Sequence, residues 1–166
     1  MATQSNWNWC RKCEGMFFGG SSSPTYCPAG GAHDGSASLS YSLFFDGSPS
    51  NGQPNWRWCK KCQSAFYAPN GTACGVCPTG GQHDPTGSGN YTFDTRRLPA
   101  YFTPQQDRWN YCLKCYGMCY AANRLGPCPA GGTHDLSNPT NYFFTYTRPV
   151  AASVNQGMFF DGVNDS

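Results

Sequence analysis

Two short stretches decide the fold of this chain: Asn-Trp-Asn-Trp-Cys-Arg-Lys-Cys at residues 6–13, and Cys-Pro-Ala-Gly-Gly-Ala-His-Asp at residues 27–34. Both recur twice with small changes, at residues 55–62 and 77–84 and again at residues 108–115 and 128–135. Self-similarity at a period of about 50 residues is typical of tandem repeats, in which each copy is one small folding unit. The chain is therefore predicted to contain three copies of one unit.

The spacing within the unit combines a constant frame with a variable middle. The first two Cys are always three residues apart, the third Cys and the His six apart, and the His and a following Tyr eight apart. Only the distance from the second to the third Cys varies, being 14, 15 and 13 residues, and Gly, Ser, Pro and Asn fill this loop. We assign repeat 1 to residues 1–49, repeat 2 to 50–103, repeat 3 to 104–148 and a C-terminal tail to 149–166.

The composition excludes a large aliphatic core. Among 166 residues there is no Ile, and Leu, Val and Phe together make up about 13%, below the roughly 20% that folded chains usually need. Charged residues are only 12% of the chain, so the deficit does not indicate a charged, disordered protein. The 11 Cys and the 5 Trp, 10 Tyr and 11 Phe must supply the missing stabilisation.

The residue patterns predict strands. Trp-x-Trp before the first Cys alternates with period two, the aromatic residues after the second Cys suit a returning strand, and Tyr-x-Leu or Tyr-x-Phe after the His suits a third. We therefore predict a small, metal-stabilised all-β protein of three zinc-ribbon-like repeats with little or no helix. The spacing leaves open whether the repeats are independent or pack with pseudo-threefold symmetry. The tail at 149–166 repeats the Phe-Phe-Asp-Gly of residues 44–47, which predicts either a strand that packs back or a contact for assembly.

The Cys and His spacing predicts zinc. Two thiolates separated by two residues can face one cation, and a third thiolate with an imidazole completes the tetrahedron that Zn²⁺ prefers. The expected cofactor is therefore about three Zn²⁺ per chain. The predicted ligand sets are Cys10, Cys13, Cys27 and His33; Cys59, Cys62, Cys77 and His83; and Cys112, Cys115, Cys128 and His134.

A disulfide framework is the main alternative, and iron would need a redox task that the sequence does not indicate. Eleven Cys cannot all pair within one chain, and disulfides do not explain a His in register. Cys74 and Cys119 are left over. Cys74 could replace His83 in the second site, although His83 matches the other repeats, and Cys74 and Cys119 could pair with each other.

The motif resembles tandem cysteine-rich repeats of bacterial and fungal proteins, and the hairpin with its Cys pairs is similar to zinc ribbons. The resemblance covers almost the whole chain except the tail, and it implies repeat identity without a stated activity. Repeat 3 departs from the pattern, with Tyr111 for Trp and Cys119 for an aromatic residue.

Closed four-ligand sites are structural rather than catalytic, so we predict a protein that is not an enzyme. Trp next to amides and carboxylates suits sugar rings, and we predict a multivalent carbohydrate-binding module in which an Asp forms the polar edge of each site. The alternative for each Asp is an Asx turn. The predicted ligand contacts are Trp7, Trp56, Trp109, Asp34, Asp84 and Asp135.

Other partners follow from charge and hydropathy. A protein surface suits the aromatic residues as well as a glycan does, so the alternative function is a structural protein that forms homo-oligomers through aromatic faces and the tail. A single-strand RNA partner is disfavoured, because the formal charge of +2 falls to about −1 when three Cys₃His sites bind Zn²⁺. No segment has the apolar length of a membrane span. The first residues do not resemble a signal peptide, so we expect a cytoplasmic protein or one exported without a leader.

Overall fold

The computed structural model describes residues 2–45, 52–97 and 104–147, and these segments contain nine strands and no helix. Each repeat contributes three strands in the predicted order, which confirms the all-β fold. The predicted tail at 149–166 lies outside the described residues. The strands are β1 (Ala2–Trp9), β2 (Met16–Phe18), β3 (Ser40–Phe45), β4 (Gly52–Trp58), β5 (Ala65–Tyr67), β6 (Tyr91–Asp94), β7 (Gln105–Tyr111), β8 (Met118–Tyr120) and β9 (Tyr142–Thr147).

Within each repeat the first strand pairs antiparallel with both of the others. In repeat 1, Trp7 faces Phe18 on β2 and Tyr41 on β3. The β1–β3 register shifts between Gln4 and Trp7, and Asn6 in that interval has a φ of 71°, the left-handed conformation that a β-bulge uses. The other two repeats have the same register shift, at Gln53/Trp56 and Gln106/Trp109.

The repeats pack together around a pseudo-threefold axis. The third strands pair with one another in a closed cycle, because β3 pairs with β6, β6 with β9 and β9 with β3. The second strands form another cycle through bridges between β2, β5 and β8. Its backbone hydrogen bonds run from Phe18 N to Gln63 O, from Tyr67 N to Tyr116 O and from Tyr120 N to Glu14 O, at 2.8–2.9 Å. The repeats are therefore not independent domains in the described structure.

All three repeats share one aromatic core. Four pseudo-equivalent positions of each repeat are buried in a single cluster. Trp contributes the first position and Tyr the second, and their rings meet edge to face across each boundary at 5.3–5.6 Å. Aromatic area thus replaces the missing aliphatic core. The twelve residues are Trp7, Trp56 and Trp109; Tyr41, Tyr91 and Tyr142; Leu43, Phe93 and Phe144; and Met16, Ala65 and Met118.

A half-buried Gln joins the repeats at each boundary. At the boundary between repeats 2 and 3, the side-chain oxygen of Gln53 accepts hydrogen bonds from Trp56 Nε1 at 2.9 Å and from the Tyr142 hydroxyl at 2.5 Å. Gln4 does the same for Trp7 and Tyr91, and Gln106 completes the cycle with Trp109 and Tyr41. The polar ends of the buried aromatic residues are thereby satisfied, as a buried N–H or O–H requires. No helix of the described segments is long and apolar enough to cross a membrane.

Candidate metal centres and inter-repeat grooves

The structure brings together each predicted set of three Cys and one His. In each set the four ligand atoms lie within 4.8 Å of one another. In the second set His83 lies among the thiols, whereas Cys74 Sγ donates to Tyr67 O at 3.0 Å. The geometry of the second set therefore favours His83 over Cys74 as the fourth ligand. The sets are Cys10, Cys13, Cys27 and His33; Cys59, Cys62, Cys77 and His83; and Cys112, Cys115, Cys128 and His134.

The distances within the sets match a tetrahedral ion. Zn–S bonds of about 2.3 Å and Zn–N bonds of about 2.0–2.1 Å give S–S edges of about 3.8 Å and S–N edges of about 3.6 Å at the tetrahedral angle. The Sγ–Sγ distances between the first and third Cys are 3.8, 4.0 and 3.8 Å, and those from the second Cys to His Nδ1 are 3.6, 3.5 and 3.6 Å. All eleven Cys, including Cys74 and Cys119, are free in the described segments, so these segments contain no disulfide.

Backbone amides support the thiolate of the first Cys in each set. The N–H of the residue after the His donates to that sulfur at 3.3 Å in all three repeats, from Asp34, Asp84 and Asp135. The pKa of Cys112 is lowered to about 3, above all because Cys115 donates a hydrogen bond to it, although burial opposes the shift. The pKa of Cys115 is raised correspondingly. The lowered pKa of Cys112 favours its thiolate, which is the form that binds a cation.

The Asp side chains form the turn after the His. Ser36 N donates to Asp34 Oδ1 at 3.0 Å, and Thr86 and Ser137 bond in the same way to the Asp two residues before them. This is the Asx turn that the sequence offered as the alternative to ligand binding. The pKa of Asp34 is lowered, chiefly by its hydrogen bonds from Ser36. A contact of these carboxylates with a ligand stays a prediction.

The Lys within each Cys pair ties the two metal-binding turns together. Lys12 Nζ donates to Gly30 O at 2.6 Å, Lys61 Nζ to Gly80 O at 2.8 Å and Lys114 Nζ to Gly131 O at 2.6 Å. The accepting Gly residues have φ values of 102–105°, which Gly adopts without strain. These Lys therefore brace the site as well as adding positive charge near it.

The second ring nitrogen of the His links two centres to a neighbouring repeat. His33 Nε2 lies 3.3 Å from Ser64 Oγ, and His134 Nε2 lies 3.1 Å from Cys13 O. Phe17 stacks on His33 with a centroid distance of 4.7 Å, and Phe66 does the same for His83. Outer contacts of this kind orient a metal-binding imidazole, so the orientations of His33 and His134 depend on packing between repeats.

The three centres converge on a small cavity of about 20 Å³ at the axis, which is lined by His33, His83 and His134 among others. Such a volume holds about one water molecule. The Cys and His of the three sets are buried except for the half-buried His33, which suits structural metal.

The predicted stacking surface on Trp7, Trp56 and Trp109 is wrong. All three indoles are 0% exposed, because the closed packing of the third strands covers them. Half-exposed aromatic residues lie elsewhere, namely at Trp9 and Trp58 directly before the first Cys. The sequence alone did not distinguish these positions, since both Trp of a Trp-x-Trp pair lie on one face of a strand.

A surface cavity of about 570 Å³ runs between repeats 1 and 2. We call it the first groove. Its walls combine aromatic rings with neutral polar groups, and every lining side chain is uncharged. Repeat 1 contributes Gln4, Phe18, Ser21 and Phe45, and repeat 2 contributes Trp58, Gly87, Ser88, Gly89 and Tyr91.

A second groove of about 160 Å³ occupies the pseudo-equivalent place between repeats 3 and 1. It is lined by Trp9, Ala37, Leu39 and Tyr41 of repeat 1 and by Gln106, Tyr120 and Asn123 of repeat 3. At the third boundary, Tyr111 takes the place of Trp9 and Trp58, and its ring meets Tyr67 at 5.6 Å. The aromatic rings of repeats 2 and 3 are therefore in contact at this boundary.

Sequence reasoning missed the residue that follows the second Cys. Glu14 and Gln63 are fully buried at φ values of 69° and 73°, and each accepts the indole N–H of the half-exposed Trp, at 3.0 Å from Trp9 and 2.8 Å from Trp58. A comparison of the repeats could have indicated this pair of residues. Repeat 3 has Tyr111 in place of the Trp, and it also has Tyr116 in place of the Glu or Gln that accepts the indole hydrogen bond.

Fold and site together define a three-repeat all-β protein that can hold three metal ions. Comparisons with protein-family models, with curated proteins and with solved structures found no match. The resemblance to cysteine-rich repeats therefore stays a prediction from the motif.

Proposed function

We propose that this protein is a non-enzymatic, multivalent carbohydrate-binding module whose fold is held by three structural Zn²⁺ ions. The observation that carries the proposal is the first groove, where aromatic walls and uncharged polar groups face each other across the boundary of two zinc-stabilised repeats. Binding rather than catalysis is favoured because all three His of the chain belong to the buried metal clusters.

Zinc is the metal that the ligand sets favour. Three thiolates and one imidazole in a tetrahedron suit Zn²⁺ better than hard, oxygen-preferring cations. Bound zinc would join the Cys pair to the loop that carries the third Cys and the His, and would hold the groove walls that these turns support. Its role here is folding free energy and not chemistry on a substrate.

The first groove has the chemistry that sugars need. The C–H face of a pyranose ring stacks on aromatic rings, and its hydroxyls need neutral donors and acceptors nearby. Trp58 and Phe18 supply aromatic surface on opposite walls. The oxygen of Gln4 is already bonded to Trp7 and Tyr91, so its amide nitrogen is the group that would donate to a hydroxyl. An uncharged lining favours neutral glycans.

The Trp58 platform is held rigidly. Its indole N–H is fixed by Gln63, and its backbone N–H donates to Ser88 Oγ at 2.8 Å. Ser88 in turn donates to Gly89 O at 2.6 Å. A prepositioned ring loses little conformational entropy when a ligand stacks on it, which is what a shallow sugar site requires.

A neutral glycan array followed by calorimetry on the zinc-loaded protein tests the proposal. Trp58→Ala should weaken binding by about 1–3 kcal/mol, the magnitude found when aromatic stacking partners of bases are removed. Tyr26→Ala is the matched control, because Tyr26 is an aromatic side chain that is 45% exposed and does not line either groove. Zinc content and the dispersion of the backbone amide NMR signals should stay unchanged in both variants.

Two results would contradict the proposal: no neutral glycan retained by the wild-type protein, or equal losses in Trp58→Ala and Tyr26→Ala. Size-exclusion mass with and without free sugar tests the alternative of self-assembly. A concentration-dependent oligomer that sugars leave unchanged, in a protein that binds no glycan, would favour the structural role.

A further inference from the structure

The second groove repeats the chemistry of the first with residues of another repeat pair. Trp9 stands in the place of Trp58, Tyr120 in that of Phe18, and Gln106 in that of Gln4. Gln106 also has its oxygen occupied by a Trp and a Tyr, namely Trp109 and Tyr41, so its amide nitrogen is the group left for a ligand. The binding elements are thus present twice in the molecule.

The two grooves differ in width for an identifiable reason. The first is bordered by Gly87 and Gly89, and the positions that correspond to them in repeat 1 are Ala37 and Leu39. Side chains at these two positions occupy space that the Gly residues leave open. These side chains, together with Tyr120 in the place of Phe18 and Asn123 in the place of Ser21, contribute to the difference between about 570 Å³ in the first groove and about 160 Å³ in the second.

The polar edge of the second groove is also neutral. Asn123 replaces Ser21 of the first groove, and its amide donates to Glu14 Oε2 at 3.2 Å. The Glu14 carboxylate is 0% exposed, accepts from Trp9 Nε1 at 3.0 Å and pairs with Arg124 at 3.4 Å. Arg124 therefore compensates the negative charge of Glu14. The hydrogen bond to Glu14 holds the Trp9 ring in place, as the hydrogen bond to Gln63 holds the Trp58 ring.

We propose that the second groove is a separate binding site for one neutral pyranose ring, whereas the first groove accepts a chain of two or more rings, with Leu39 and Gly89 setting the difference. This inference rests on the proposed function. The second groove, at about 160 Å³, is sized for one stacked ring, and the first, at about 570 Å³, is several times larger. The protein then carries two sites of unequal size and not three equal ones.

The test follows the indole N–H signals of Trp9 and Trp58 by NMR during titration of the zinc-loaded protein. The probes are N-acetylglucosamine and its β-1,4-linked dimer, neutral pyranosides whose equatorial substituents leave flat C–H faces. We expect the monosaccharide to shift both signals, and the dimer to shift the Trp58 signal with at least about tenfold higher affinity than the Trp9 signal, a readily measured ratio.

Exchange of the width-setting residues provides the matched variants. Leu39→Gly should raise the affinity of the second groove for the dimer about tenfold, and Gly89→Leu should lower that of the first groove by a similar factor. Gly87 is left unchanged because its φ is 83°, which other residues rarely adopt. If one variant fails to fold, the other still decides the question.

The outcomes separate this inference from the proposed function. If the Trp58 signal shifts and the Trp9 signal does not shift with either probe, the second site is refuted while glycan binding by the first groove stands. If both shift but the Leu39→Gly exchange leaves the affinity for the dimer unchanged, the role of Leu39 is refuted. If neither signal shifts and the glycan array is empty, both proposals fail.

Discussion

The substitution Gln53→Leu tests whether the repeats are held together through the Gln at each boundary. Gln53 accepts hydrogen bonds from Trp56 within its repeat and from Tyr142 of the next repeat, and both donors are fully buried. Leu has a similar size but accepts no hydrogen bond. The change would therefore leave a buried indole N–H and a buried phenol O–H without partners.

The expected loss follows from the two donors. Each buried donor that loses its acceptor costs about 1–3 kcal/mol, so Gln53→Leu should reduce the free energy of unfolding by about 2–6 kcal/mol. Tyr142→Phe is the control, because it removes one donor and leaves the Gln53 oxygen bonded to Trp56. Loss of that single satisfied hydrogen bond should cost about 0.5–1.5 kcal/mol.

Urea unfolding monitored by Trp fluorescence measures both variants, at one zinc concentration because bound metal shifts apparent stability. Gln4→Leu and Gln106→Leu provide internal replicates at the other two boundaries. A loss for Gln53→Leu no greater than that for Tyr142→Phe would refute the reasoning, since it would mean that the buried donors find other partners.

Three further predictions concern the metal and the charged core. Elemental analysis should find about three Zn per chain, with thiols that react only after chelation; an absence of metal together with several disulfides by mass spectrometry would contradict it. Cys13→Ser should reduce hydrogen-exchange protection in all three repeats, because they share one core. The control Cys74→Ser should keep full zinc content. Loss of protection in repeat 1 alone after Cys13→Ser would show that the repeats are independent. Burial raises the pKa of Asp94 to about 6, so its ionisation costs stability as the pH rises from about 4 to 6. Asp94→Asn should therefore stabilise by about 1–3 kcal/mol at pH 7, with a smaller gain near pH 5, and an equal gain at both pH values in thermal melts would count against this cause.

The aromatic residues that line the grooves are not the ones that the sequence suggested. Aromatic residues beside amides suggested sugar stacking, and the first groove has that composition. The residues differ, however, because Trp7, Trp56 and Trp109 are the centre of the core. A stacking surface is defined by what remains uncovered after packing, and this depends on neighbours that are far away in the chain.

The amino-acid sequence by itself determined the Cys₃His sets and the three-strand unit, and it offered the Asx turn as one of two roles for the Asp after each His. These features are local: a Cys pair three residues apart and a Cys six residues before a His reach one point because short, turn-rich segments have few ways to fold. It also contained the choice of His83 over Cys74, through the register of the repeats.

Only the tertiary structure decided how the units meet. Nothing in the spacing of one repeat states that β3, β6 and β9 close a cycle, or that Gln53 of one repeat bonds to Tyr142 of the next. The repeats are alike, so the differences that set the grooves, such as Leu39 against Gly89, gain meaning only when two repeats face each other. Packing between units is a long-range property, because each surface depends on residues about one or two repeats away.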